Sequence, residues 1–171
     1  MSHKPNRQAW VDHVFPNKIP LGWTANIRTR VRDTPIRLRH QQEQLEAAAK
    51  IDEAWNIKEH IGHLIDLEQL HLHRLELFAN KEKVLSAADM SNRATYAANH
   101  SERSIGELLT DFEKVRCRFL EKFDALSDEC LAHEAFHPRL EIGMRPVDML
   151  FFVAEHDDHH LASIYEIIDQ K

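Results

Sequence analysis

Apolar side chains return every three or four residues along most of this chain, and no other feature restricts its fold as tightly. Leu38, Leu45 and Ala49 keep this interval with Gln42 on the same face, as do Ile61, Leu64, Leu67, Leu70 and Leu77. Leu108, Leu109, Phe112, Val115, Phe119 and Phe123 form a third stripe. Such spacing buries one face of an α-helix, whereas a half-buried strand needs strict alternation, which here is short and rare. Only four glycines occur in 171 residues, too few for a fold built from many tight turns.

The helix ends can be placed by their caps. A first helix is expected from about Gly22 or Trp23 to about Lys50, kinked or divided by Pro35, which lacks an N–H. The second opens at Asn56, whose side chain can cap backbone N–H groups while Glu59 reaches back to close a capping box. The polar stretch from Asn80 to His100 reads as a long crossover. A third helix starts at Ser101 or Ser104, and Ser104 to Glu107 has the form of a second capping box. A loop carrying Pro138 and Gly143 follows, with Arg139 to Ile142 expected to be briefly extended. Pro146 suits the first turn of a fourth helix, which runs to about Ile168. Four long helices and one long crossover predict an all-α chain folded as a four-helix bundle. Residues 1–171 are read as one domain that includes an N-terminal arm over about 1–21.

Charge and composition exclude some functions. A net charge of −6 opposes general affinity for nucleic acid. The basic run from Arg28 to His40 is interrupted by Asp33 and is read as a solvated helix face. No apolar stretch approaches a membrane span, and the N-terminus has no apolar signal region. Two cysteines, Cys117 and Cys130, make no disulfide framework, so a reducing cytoplasm is the expected setting. Cys117 is expected in or beside the core and Cys130 in a loop, neither as a nucleophile.

Thirteen histidines are many for this length, and the run Glu155-His156-Asp157-Asp158-His159-His160 concentrates them. His156 and His160 are four apart on a helix, in the direction shared by Met149, Phe152, Val153, Ser163, Ile164 and Ile167. That direction is the apolar stripe, so both imidazoles face the bundle interior. Asp157 and Asp158 turn away from it, and His159 lies near its edge. In the second helix His63 also faces inward, on the side of His60, Leu67, Leu70 and Arg74. His71 and His73 are expected on the helix surface or the bundle wall. His63, His156 and His160 can converge as three neutral nitrogen donors for a divalent transition metal, with His60 as the competing ligand. Buried histidines that only hydrogen-bond one another are the competing reading. Among carboxylates, Glu59 and Asp66 flank His63 as candidate bases, and Glu155 or Asp157 could orient an imidazole. Glu59 as a cap, and Glu155 and Asp158 as solvated charges, are the plainer assignments. Neither a serine nucleophile elbow nor a glycine-rich phosphate loop is present.

Two stretches resemble the DinB/YfiT-like superfamily of metalloenzymes: Trp55 to Glu68 (WNIKEHIGHLIDLE), and Arg145 to Ile164 (RPVDMLFFVAEHDDHHLASI). The spacing between them and the earlier IRTRVRDTPIRL segment fit that family's layout, from about Gly22 to the end. The resemblance implies up-down-down-up topology, with the long crossover joining helices two and three. It places the family's three metal-ligating histidines on His63, His156 and His160. It also implies a bound transition metal (zinc or nickel first, iron or copper next), a small-molecule substrate and a homodimer. The activities it implies are transfer or isomerisation using a low-molecular-weight thiol, or hydrolysis. Leu161-Ala162-Ser163 stands where many relatives have Arg-Gly-Gln, which bears on substrate class more than on metal binding. The alternatives are a non-catalytic bundle that binds metal or ligand, as a stress-response or sensor protein, and a helical interaction module.

Overall fold

A computed structural model describes residues 8–50 and 55–170, so the first seven residues of the expected arm lie outside it. The helices are α1 (Thr24–His40), α2 (Gln42–Ala48), α3 (Ile57–Ala79), α4 (Arg93–Ala97), α5 (Ile105–Asp124) and α6 (Asp128–Ala132). A hairpin of β1 (Ala135–His137) and β2 (Ile142–Met144) precedes the last helix, α7 (Pro146–Ile168). The four long helices form a bundle in which α1 and α3 each pack between α5 and α7. No described helix is long and apolar enough to cross a membrane.

Both expected capping boxes form. Asn56 accepts from the Lys58 and Glu59 N–H groups while Glu59 accepts from the Asn56 N–H, and Ser104 and Glu107 repeat the exchange. Pro146 occupies the first turn of α7. The first helix divides elsewhere than expected. It runs through Pro35 and breaks at Gln41, where φ is −112° and ψ 18°. Pro35 cannot donate to the Val31 carbonyl, which would ordinarily end or kink the helix. Here Arg116 Nη1 on α5 reaches that carbonyl at 3.4 Å and supplies the missing donor.

Arg116 belongs to a polar layer that divides the core. One apolar cluster holds Val31, Leu72, Phe119 and Val153, and another holds Leu38, Leu64, Phe112 and Leu161. Between them each long helix contributes one buried polar residue: Thr34, Glu68, Arg116 and Asp157. Arg116 donates to both Asp157 oxygens, at 2.8 and 3.0 Å, and its Nη2 lies 2.8 Å from Glu68 Oε1. Thr34 Oγ1 donates to Asp157 Oδ2 at 2.7 Å. Burial alone would lower the Arg116 pKa, but Asp157 and Glu68 outweigh it and raise it, so the guanidinium stays charged. This register lets Arg116 meet both carboxylates, and sliding α3, α5 or α7 would strand a buried charge.

Three local expectations are corrected. Of the stretch Arg139 to Ile142 only Ile142 is extended, opposite His137, while Arg139 to Glu141 lie in the hairpin turn with Glu141 at φ 54°. Cys117 is exposed, its Sγ toward Glu121, while Cys130 is buried within α6 instead of lying in a loop. The basic face of α1 is not merely solvated. Arg30 pairs with Glu155 and Asp158, Arg37 with Asp158, Arg39 with Glu113 and Arg28 with Asp124. Asp158 and Glu155 thus hold α1 against α7.

Gly62 on α3 is required by a close approach. A Cβ built there would lie 2.1 Å from the His100 ring, in the turn His100–Glu102 that packs on this helix. We expect Gly62→Ala to cost about 1–3 kcal/mol by overpacking, since the ring is held at its far side by Asp66. Thermal unfolding checks this, and an unchanged melting temperature would contradict the contact.

Candidate metal centre

The six residues from Glu155 to His160 divide by the direction each faces on α7. Glu155 and Asp158 face α1, and Asp157 enters the polar layer. His159 sits at the edge near Trp10 and His13. His156 and His160 turn inward and are buried. Their Nε2 atoms lie 3.2 Å apart. From α3, His63 brings its ring to centroid distances of 5.4 Å from His156 and 4.9 Å from His160. One nitrogen from each of the three rings lies within 4.8 Å of the other two.

These residues fit a divalent ion on the chemistry of their donors. Nitrogens about 2.0–2.1 Å from a tetrahedral ion stand roughly 3.3–3.4 Å apart, close to the His156–His160 spacing. All three imidazoles are neutral at pH 7. Burial, opposed in part by Asp66, lowers the His63 pKa to about 4. Burial and the neighbouring imidazoles push His156 and His160 well below the usual histidine range. Their lone pairs are therefore available to a cation. His63 Nδ1 hydrogen-bonds Thr95 Oγ1 at 3.1 Å, which leaves Nε2 for the cluster. His160 Nδ1 meets His60 Nδ1 at 2.8 Å. His60 therefore stands behind His160 and supports it, rather than replacing His63. A partner on the far nitrogen fixes which nitrogen of a ligand imidazole is free. His156 Nδ1, by contrast, is buried without a hydrogen bond.

A cavity of about 380 Å³ opens beside the three rings, walled by Leu67, Leu70, Met90 and Phe152 and by the indoles of Trp10 and Trp55. Trp55 stacks on His160 with ring centroids 5.9 Å apart and hydrogen-bonds the Tyr96 hydroxyl. Trp10 packs edge-on against His156 at 4.8 Å. His71 also lines the cavity and is buried, while His73 is exposed.

The four carboxylates considered as base or orienting group are engaged elsewhere. Glu59 caps α3, Asp66 binds His100, Glu155 binds Arg30 and Asp157 binds Arg116. Asp157 orients no imidazole. Sequence patterns miss Trp10, in the arm, and Thr95, on the crossover helix α4, which is too short to carry a legible period. Arg116 and Glu68 do carry a signal, as single charges at core positions of otherwise apolar stripes.

Protonation of these buried rings opposes folding. His63 and His137 are lowered to about 4 by burial, and His156 and His160 lie lower than the ordinary 6.5. Between about pH 6.5 and 4 the unfolded chain binds protons on these residues that the folded chain does not. Stability is then fully present above pH 6.5 and falls as pH drops through this window. Melting temperatures of chelator-treated protein at pH 7, 6, 5 and 4.5 check it, and a flat profile would contradict the burial.

Bundle and cluster together define a class: helical proteins with an internal set of imidazoles at the end of a cavity. The chain belongs to the DinB superfamily, whose family model matches residues 25–164. No curated protein matches it in sequence. The fold is similar to that of YfiT from Bacillus subtilis, described as "a probable metal-dependent hydrolase with an unusual four-helix bundle topology". The TM-score is 0.69 at 16% identity, covering 92% of this chain and 93% of that one. It is also similar to the mycothiol-dependent maleylpyruvate isomerase, with a TM-score of 0.61 at 16% identity. That match covers 85% of this chain but only 65% of the isomerase. At these identities the likeness concerns the fold.

Proposed function

We propose that this chain is a metal-dependent enzyme in which His63, His156 and His160 hold one divalent transition ion, zinc or nickel, and that its substrate is a small molecule bound in the adjoining cavity. The convergence of three buried, neutral imidazoles on one point carries this reading. An ion with three protein ligands retains open positions and, when bound, makes water or a thiol nucleophilic at neutral pH.

The chain's own residues supply the setting. Thr95 holds the His63 ring and His60 holds that of His160, which fixes the nitrogen each turns toward the cluster. Trp10, Trp55 and Phe152 restrict water, which strengthens every charge interaction inside. YfiT is described as "a probable metal-dependent hydrolase" and the isomerase as mycothiol-dependent, which supports water or a low-molecular-weight thiol as the nucleophile here. Two panels divide these options: ester and amide hydrolysis, and thiol addition to small electrophiles, each with chelator-treated protein as control. Metal-dependent turnover in either panel supports the enzyme reading. Stoichiometric metal with no turnover in both would instead make this a metal-binding bundle.

A further inference from the structure

The cavity continues away from the histidine cluster to a basic end. Arg74 on α3 and Arg139 in the hairpin turn line it there, together with His137 of β1. Arg74 is 2% exposed and donates from Nε and Nη2 to the Ser86 carbonyl. Arg139 lies over the Phe152 ring at 5.6 Å, and its Nη2 is buried with no hydrogen-bond partner. His137 is 2% exposed. Its Nδ1 accepts from the Leu140 N–H, so the neutral ring carries its proton on Nε2, which is buried and also lacks a partner. Among the described residues, no carboxylate pairs with either guanidinium. Asp89, the one acid lining this cavity among them, is engaged by Ser91 and Arg93.

Buried charge without a counter-charge is costly. Arg74 is buried and Arg139 part-buried with its Nη2 enclosed, and neither meets a carboxylate among the described residues. Burial and Arg139 lower the Arg74 pKa to about 10, and burial lowers that of Arg139, as expected for cations without a counter-charge. We propose that Arg74, Arg139 and His137 form a subsite for an oxyanion, a carboxylate or phosphate carried by the molecule that occupies the cavity. The unpartnered groups here are donors, Arg139 Nη2 and the His137 Nε2–H, and Arg74, whose Nε and Nη2 are held by Ser86, adds its positive charge beside them. Arg74 lies three helical turns beyond His63, roughly 16 Å of rise, and its side chain tilts back toward the cluster. The ligand is therefore elongated, with its anionic head several bonds from the end that meets the histidines. This deepens the proposed function and rests on the cavity being the substrate site.

The test uses quenching of tryptophan fluorescence, because Trp10 and Trp55 line the cavity. Purified protein is titrated with hexanoate, with its uncharged methyl ester and with hexyl phosphate. Either anion is expected to bind roughly tenfold or more tighter than the ester. Arg139→Gln abolishes that preference while the helical signal in circular dichroism is kept, since the buried Nη2 it removes has no hydrogen-bond partner. His156→Ala retains the preference, which separates this subsite from the metal reading. Equal affinity for anion and ester in the parent chain would overturn the proposal. So would a preference that survives Arg139→Gln but disappears in His156→Ala, because the anion would then sit on the metal. If hexyl phosphate exceeds hexanoate, the head is a phosphate; if not, it is a carboxylate; both outcomes support the oxyanion site.

Discussion

Arg116→Met is expected to melt about 10 °C or more below the parent chain. The side chains are similar in length, so the loss is mainly of charge. Glu68 and Asp157, which are 0% and 1% exposed, would remain in the core with no cation between them. Breaking a buried ion pair from one side costs about 3–5 kcal/mol. For a chain of this size each kcal/mol is worth roughly 2–4 °C. A second loss adds to the first, because the Val31 carbonyl left open by Pro35 loses the guanidinium donor that reaches it. Arg116→Lys should fall between the two, keeping a charge but not the paired contacts with Asp157. Thermal and urea unfolding of chelator-treated protein give the comparison. A melting temperature within 2–3 °C of the parent, roughly 1 kcal/mol, would mean that the polar layer does not hold the bundle in register.

His156→Ala is expected to lose bound transition metal, with affinity reduced at least 100-fold and the helical signal in circular dichroism unchanged. This position gives the cleanest test. His156 Nδ1 has no hydrogen-bond partner to strand, whereas removal of His63 frees Thr95 and removal of His160 frees His60. His60→Ala should behave differently, weakening the ion by about 10–100-fold while keeping one site per chain, because His60 acts through the His160 ring. Equal losses in both variants would place His60 among the ligands. Competition with a chromophoric chelator measures both.

How far the residues announce this architecture depends on which interactions decide each feature. Helix starts marked by local caps, at Asn56, Ser104 and Pro146, are legible because capping is settled within four residues. The break at Gln41 is not, since continuation through Pro35 depends on Arg116, 85 residues from the Val31 carbonyl it reaches. The inward direction of His63, His156 and His160 follows from helical period alone. Period cannot rank His60 against His63, as both face inward, and only the packing of α3 on α7 puts His60 behind His160. Asp157 illustrates the same limit. Its place beside His156 suggests a partner for an imidazole, but Arg116 takes up both its oxygens. Trp10 and the Arg139 turn reach the cavity by irregular backbone, where no periodic signal exists.

Anomalous diffraction from crystals of protein purified without added metal tests the central claim most directly. The account predicts one peak per chain, bonded to the Nε2 atoms of His156 and His160 and to the His63 nitrogen that faces them. A density map with the three rings bonded only to one another, or a peak at His71 and Glu68 instead, would contradict it.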